Sequence, residues 1–230
     1  MYIQRIIEDL LPGIIATFPC LAVTGPRQSG KSTLLRHALP EYRYVTLDDP
    51  AVVEQALSDP VFFLDTLGER CIIDEIQLAA GILSYVKIRV DADRSRNGRF
   101  VFTGSQQFGM IRNLGDSLAG RIALLDLLPF AAGEMQKAAS LQGGLELFTS
   151  SCLTGAYPQL AVTPEIDRSL WYSSYLQTYL ERDIRSLYDI GSLREFHRFM
   201  QLLAARCGQM LNMSMFATDL GVSVTTIKRW

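Results

Sequence analysis

The sequence is short of the residue types that build metal and disulfide centres. Only two histidines, His37 and His197, occur in 230 residues. Neither has a second ligand type at metal-binding spacing, so a histidine-based metal centre is set aside. The four cysteines, Cys20, Cys71, Cys152 and Cys207, lie far apart and form no CxxC pair. That speaks against a zinc ribbon and against a disulfide framework, and leaves reduced thiols. An excess of one charge is missing too. Lys and Arg number 22 against 24 Asp and Glu, a net charge of -2 with a pI near 5.7, which argues against a surface adapted as a whole to nucleic acid. No apolar run reaches the about 20 residues of a membrane span. The stretch from Leu10 to Val23 imitates a signal peptide behind Arg5, but Glu8 and Asp9 interrupt the charge pattern and Pro12, Gly13 and Pro19 break the run. A cytoplasmic protein is expected. Neither an internal repeat nor a low-complexity tract is visible.

What is present suits a globular chain: 48% of residues are hydrophobic and 20% charged, enough to bury a core in one α/β domain with a smaller appendage. Ile3, Ile6, Ile7, Leu10 and Leu11 recur at helical spacing, and Pro12-Gly13 reads as the stop. Cys20 to Thr24 reads as a strand, Lys31 to Leu39 as a helix ending at Pro40, Tyr42 to Leu47 as a second strand and Cys71 to Asp74 as a third, very apolar one. A helix from Gly81 to about Asp91 and a strand from Arg99 to Thr103 follow. The run Ile122 to Leu128 is strand or helix on periodicity alone, with strand favoured. This alternation predicts a parallel sheet with helices on both faces over residues 1–135. After Gly143-Gly144 the β-branched runs cease, and the spacing predicts an all-helical unit over 136–210, including helices through Trp171, Tyr175 and Tyr179 and through Phe196, Met200, Leu203 and Cys207. Residues 211–230 read as the start of a helix-turn-helix.

Gly25-Pro-Arg-Gln-Ser-Gly30-Lys31-Ser32 fits the phosphate-loop pattern GxxxxGK[ST] at every required position, between a strand and a helix as that motif demands. Backbone N–H groups of Gln28 to Lys31 can curl into an anion nest only where glycines accept unusual dihedrals, which is the task of Gly25 and Gly30. Pro26, Arg27, Ser29 and Thr33 complete the expected nucleotide-binding set. Lys31 would reach the β and γ phosphates, and Ser32 would ligate magnesium.

A phosphate loop needs an acid for the magnesium shell at the end of a nearby apolar strand. Asp74 supplies it, and the adjacent Glu75 could orient and deprotonate an attacking water, which is hydrolytic chemistry. Acids in this position also end strands and cap helices. Beyond the Arg99 strand, Ser105, with Gln106 second, is the candidate for a polar touch on the γ phosphate, although Gly-Ser there also makes an ordinary turn. A cation on the developing charge is sought in Arg121, with Arg27, Arg112 and Arg182 as rivals.

With GPRQSGKST at 25–33, IIDEIQ at 72–77, FTGSQ at 102–106 and SLAGR at 117–121, the chain resembles prokaryotic AAA-type ATPases that carry a C-terminal domain of unknown function. Leu153-Thr-Gly155-Ala-Tyr-Pro158 and Tyr179-Leu-Glu-Arg-Asp183 extend the resemblance into the helical part. It implies a sheet in which the Ser105 strand lies between the strand of the phosphate loop and the strand of Asp74, water activation by Glu75, and ATP with Mg2+ as the ligands. The absence of an NKxD-like segment agrees with adenine over guanine.

Ala217, Gly221 and Ile227 are spaced like a helix-turn-helix. The chain stops within the second helix, which predicts a piece of a longer protein. Thr225, Thr226, Lys228 and Arg229 would be the DNA-facing residues of a completed helix, although such modules also serve as packing or dimerisation units. Three functions follow: an ATPase whose hydrolysis drives conformational change, an ATP-gated DNA-binding regulator with slow or no hydrolysis, and a small-molecule kinase, against which Glu75 and the lack of a lid motif count. A homo-oligomer is required if Arg121 acts on a neighbour's nucleotide.

Overall fold

A computed structural model describes residues 2–104, 118–180 and 193–230. Five parallel strands, β1 (Cys20–Thr24), β2 (Arg43–Thr46), β3 (Cys71–Asp74), β4 (Phe100–Thr103) and β5 (Ile122–Asp126), form one sheet in the order β2-β3-β4-β1-β5. β4 therefore lies between the phosphate-loop strand β1 and the Asp74 strand β3, as the resemblance implies. The three central strands are buried along their whole length. This explains their unbroken apolar character, since strands covered on both faces have no solvent side to alternate with.

Side chains leave the sheet alternately. Leu21, Val23, Ile72 and Val101 meet α1 (Leu11–Thr17) and α2 (Lys31–Ala38) on one face. Cys20, Ala22, Ile73, Phe100 and Phe102 meet α3 (Pro50–Ser58), α4 (Pro60–Leu67) and α5 (Leu83–Ala92) on the other. Asp49 and Asp59 cap α3 and α4, accepting from Ala51 N and Phe62 N at 2.9 Å each, and each is followed by a proline in the first turn, where the missing N–H costs nothing.

The same property of proline overturns one expectation. Pro12-Gly13 does not stop the first helix. A 3-10 turn, Ile6–Leu10, runs directly into α1, with Pro12 inside its first turn, a position it tolerates because the N–H there has no intrahelical partner. Ile122–Asp126 resolves as strand because it completes the ladder beside β1, a tertiary pairing that periodicity does not report.

By compactness the described chain divides into Met1–Arg168 and Ser169–Trp230. In the first unit, helices Ala132–Ala139 and Pro158–Val162 pack Met135 and Ala161 against Ile3 and Phe130. In the second, helices Leu193–Ala205, Met213–Leu220 and Val224–Arg229 enclose Phe196, Phe199, Phe216, Leu220 and Ile227. Asn212 caps the middle helix through Met215 N (3.1 Å) and Ser223 the last through Thr226 N (3.0 Å). Gly221 turns between them at φ 70°. No helix among the described residues is long and apolar enough to cross a membrane.

A candidate nucleotide site on the phosphate loop

The loop between β1 and α2 owes its shape to three left-handed residues, Gly25 (φ 138°), Gln28 (φ 62°) and Gly30 (φ 94°). Gly25 has a second reason to be glycine, because a Cβ there would stand 2.2 Å from the Leu127 carbonyl oxygen. The chain just beyond β5 is thus the wall against which the loop turns. Ser29 and Lys31 are buried. The Lys31 ammonium donates to the Gly25 and Pro26 carbonyls, 3.0 Å each, which holds it inside the loop's own curve.

Asp74 is the hub of the site. Ser32 Oγ donates to its Oδ2 at 2.6 Å and Glu75 N to its Oδ1 at 3.1 Å. Thr103 Oγ1 donates to Oδ1 and the Tyr44 hydroxyl to Oδ2. The topology makes this convergence possible. Ile72 and Asp74 point to the α2 face of β3, and β4 and β2 flank that strand on either side, so one neighbouring strand contributes Thr103 and the other Tyr44. Burial, followed by the hydrogen bond to Asp74, pushes the Tyr44 hydroxyl up to about 12. It therefore stays a neutral donor at ordinary pH. A hydroxyl and a carboxylate 2.6 Å apart are the hard oxygen donors that suit Mg2+.

Glu75 adopts a left-handed conformation, φ 58° and ψ 44°, which turns its side chain off the strand. Its carboxylate accepts from Gln77 Nε2. Ser105, Gln106, Arg112 and Arg182 lie outside the described residues. Arg121 is brought elsewhere. It precedes β5 at the end of the sheet opposite Thr24 and Asp126 and binds Asp91 through Nε (2.8 Å) and an Nη (3.0 Å). Those hydrogen bonds hold the Asp91 carboxyl below its usual range. With the length of a strand intervening, Arg121 and the phosphate loop of the same chain do not meet.

Sequence reasoning missed three residues. Thr103 ends its strand, and that polar residue at the end of an apolar run was the available signal; Tyr44 lies inside its strand, and nothing in the spacing singled it out. Arg5 gave none. Its guanidinium is 6% exposed, lies 3.1 Å from Glu134 Oε2, and donates to the carbonyls of Ser29 (2.9 Å), Leu128 (2.7 Å) and Pro129 (3.3 Å). It thereby pins the phosphate loop to the chain that follows β5. Beside it, Tyr2, Ile3, Gly30, Thr33, Phe130 and Pro158 line a largely apolar cavity of about 110 Å³.

A parallel sheet of this order with a glycine-shaped loop after β1 is the architecture of phosphate-loop ATPases, and comparison with known proteins agrees. The family model described as an AAA domain matches residues 17–136. The chain belongs to the AAA domain family. A second model, a domain of unknown function (DUF8612), matches residues 145–230. Uncharacterized proteins of Mycobacterium bovis and Mycobacterium tuberculosis are each 29% identical over 217 residues, 92% of this chain and 46% of theirs. The AAA chain thus spans about half the length of these curated relatives. A Walker-type ATPase of Pyrococcus abyssi shares the fold, with a TM-score of 0.51 at 16% identity over 99% of this chain and 89% of that one.

Proposed function

We propose that this AAA domain binds ATP with Mg2+ and hydrolyses it to drive a conformational change in its helical part. The observation that carries the reading is the convergence of Ser32 and Asp74, 2.6 Å apart, at the mouth of a loop whose backbone is curled by Gly25, Gln28 and Gly30. In this reading the N–H groups from Gln28 to Thr33 cradle the phosphates, with Pro26, Arg27 and Ser29 shaping the loop. Lys31 exchanges its contacts to the Gly25 and Pro26 carbonyls for the β and γ phosphates. The apolar cavity beside Gly30 and Thr33 seats the base. Ser32 and Asp74 would hold Mg2+, which when bound neutralises charge on the β and γ oxygens.

Glu75 is assigned as the base that orients and deprotonates the attacking water, once its carboxylate leaves Gln77. Ser105 is assigned to the γ phosphate. Arg121, paired with Asp91 at the other end of β5, is assigned to a neighbouring copy's nucleotide, a role that requires a homo-oligomer. Failure of a Lys31 variant mixed with an Arg121 variant to recover turnover removes it. The functional division we propose is 1–135 for nucleotide, 136–210 for the helical response and 211–230 for the start of a helix-turn-helix.

The decisive test of hydrolysis is single-turnover ATP cleavage by Glu75→Gln. Loss of the base is expected to cut the rate by about 10²–10⁴ with nucleotide affinity retained. Unchanged turnover removes Glu75 from this role. The paired helices Met213–Leu220 and Val224–Arg229, with Thr225, Lys228 and Arg229 exposed, favour a second reading, an ATP-gated DNA-binding regulator. Duplex binding across a salt series with no effect of ATP would exclude it.

A further inference from the structure

An ionised carboxylate offers about four lone-pair sites, and four donors converge on Asp74: Ser32 Oγ and the Tyr44 hydroxyl on Oδ2, Thr103 Oγ1 and Glu75 N on Oδ1; a cation between Ser32 and Asp74 would take the place of the Ser32 bond. Two of these four donors, Ser32 and Glu75 N, come from the loop and chain that the motifs already mark. Thr103 stands next after Phe102, the partner of Ile73 across β3 and β4, so any short hydroxyl residue at that position reaches Asp74. Tyr44 is different in kind.

The β2–β3 register pairs Tyr44 with Ile72 and Thr46 with Asp74, so Tyr44 is the diagonal neighbour of Asp74, at a separation of about 7–8 Å that long aromatic side chains span. The residue directly opposite Asp74, Thr46, does not serve it. The Thr46 hydroxyl instead accepts from Asp48 N at 3.2 Å. The Tyr44 ring is fixed from two sides. It packs in the layer under α1 and α2, and the Arg36 guanidinium lies over it, 5.1 Å from the ring centre. Arg36 stands one turn beyond Ser32 on α2. Tyr44 therefore joins the strand at the sheet's edge, the helix that begins with Lys31 and Ser32, and the carboxylate that faces Ser32.

We infer that Tyr44 is a positioning residue for the divalent cation: its hydroxyl fixes the Asp74 carboxylate against Ser32, so that metal affinity depends on it while metal-free nucleotide affinity does not. This rests on the reading that Ser32 and Asp74 hold Mg2+. The donors that orient a metal-bearing carboxylate typically matter by 10–100-fold in metal affinity when removed. The Tyr44 hydroxyl faces the side chains of Asp74 and Ser32, whereas the phosphate nest is built from backbone N–H groups after Gly25, so losing the hydroxyl leaves the groups that hold the nucleotide itself in place.

Tyr44→Phe keeps the ring, its packing and its place under Arg36, and removes only the hydroxyl. Thr46→Val, opposite Asp74 but bonded elsewhere, is the control. Mn2+ binding in the presence of ADP, followed by electron paramagnetic resonance, and ADP binding in EDTA, followed by fluorescence, separate the two affinities. The expected result is Mn2+ affinity at least tenfold weaker in Tyr44→Phe, ADP affinity in EDTA within twofold of wild type, and both unchanged in Thr46→Val. Wild-type Mn2+ affinity in Tyr44→Phe overturns the inference. So does an equal loss of ADP affinity in EDTA, which marks a structural role under α2. A wild-type protein that gains no ADP affinity from Mn2+ overturns the metal reading of Ser32 and Asp74 together with it.

Discussion

Replacing Arg5 by methionine is the sharpest test of how the phosphate loop is held. The guanidinium and the Glu134 carboxylate are 6% and 5% exposed, so neither charge has water to fall back on. Glu134 also accepts from Ile6 N (2.7 Å) and Ala131 N (2.8 Å), and the Arg5 guanidinium lies over the Phe130 ring at 5.0 Å. Arg5→Met keeps the apolar stem over Phe130 but strands the Glu134 charge and removes the donors to the Ser29, Leu128 and Pro129 carbonyls. Breaking one side of a buried pair costs about 3–5 kcal/mol. At roughly 2–4 °C per kcal/mol for a chain of this size, the midpoint should fall by about 6–20 °C. Urea unfolding followed by circular dichroism supplies the free energy. The cycle with Glu134→Met isolates the pair, and the double variant should recover at least 1 kcal/mol of the single loss, since two apolar side chains bury no unpaired charge. An Arg5→Met protein within about 1 kcal/mol of wild type would refute the reasoning, because it would mean that Glu134 is solvated in solution.

Gly25→Ala should abolish nucleotide binding as measured by fluorescent ATP titration. Its Cβ would overlap the Leu127 backbone carbonyl, just beyond β5, at 2.2 Å, which no rotamer change relieves, and φ 138° adds about 1–3 kcal/mol of strain. A variant that binds within threefold of wild type would show that the loop shifts freely. Burial pushes the Cys20 and Cys71 thiols from 9.0 up to about 12. The folded chain keeps both protons where the unfolded chain has lost them. Stability from these groups is therefore full below pH 9 and lost as pH rises from 9 to 12. Unfolding midpoints of the Cys20→Ala, Cys71→Ala double variant should fall less steeply over that range, and parallel curves would contradict the burial.

The contrast between what could and could not be read in the chain follows the range of the interactions. Gly25 to Ser32 was legible because a phosphate nest is local: its N–H groups and glycines are consecutive. Cys71 to Asp74 was legible because a strand buried on both faces must be apolar throughout and ends where the charge begins. Pro12 misled because its effect depends on whether it falls inside a helix or at its first turn, which is set by the packing of Leu11 and its neighbours under the sheet.

The sequence by itself thus determined a parallel α/β domain with a phosphate loop and an acid pair, since each is written in residues adjacent along the chain. Only the tertiary structure decided which side chains surround Asp74 and where the cations go. Tyr44 and Thr103 reach Asp74 because β2 and β4 flank β3. Arg5 crosses to Ser29 and Glu134, more than a hundred residues apart. Arg121, beside the right motif in sequence, stands at the opposite end of its strand and pairs with Asp91. A strand's direction and its neighbours fix which end of it meets the loop, and neither is encoded in the spacing of the residues it carries.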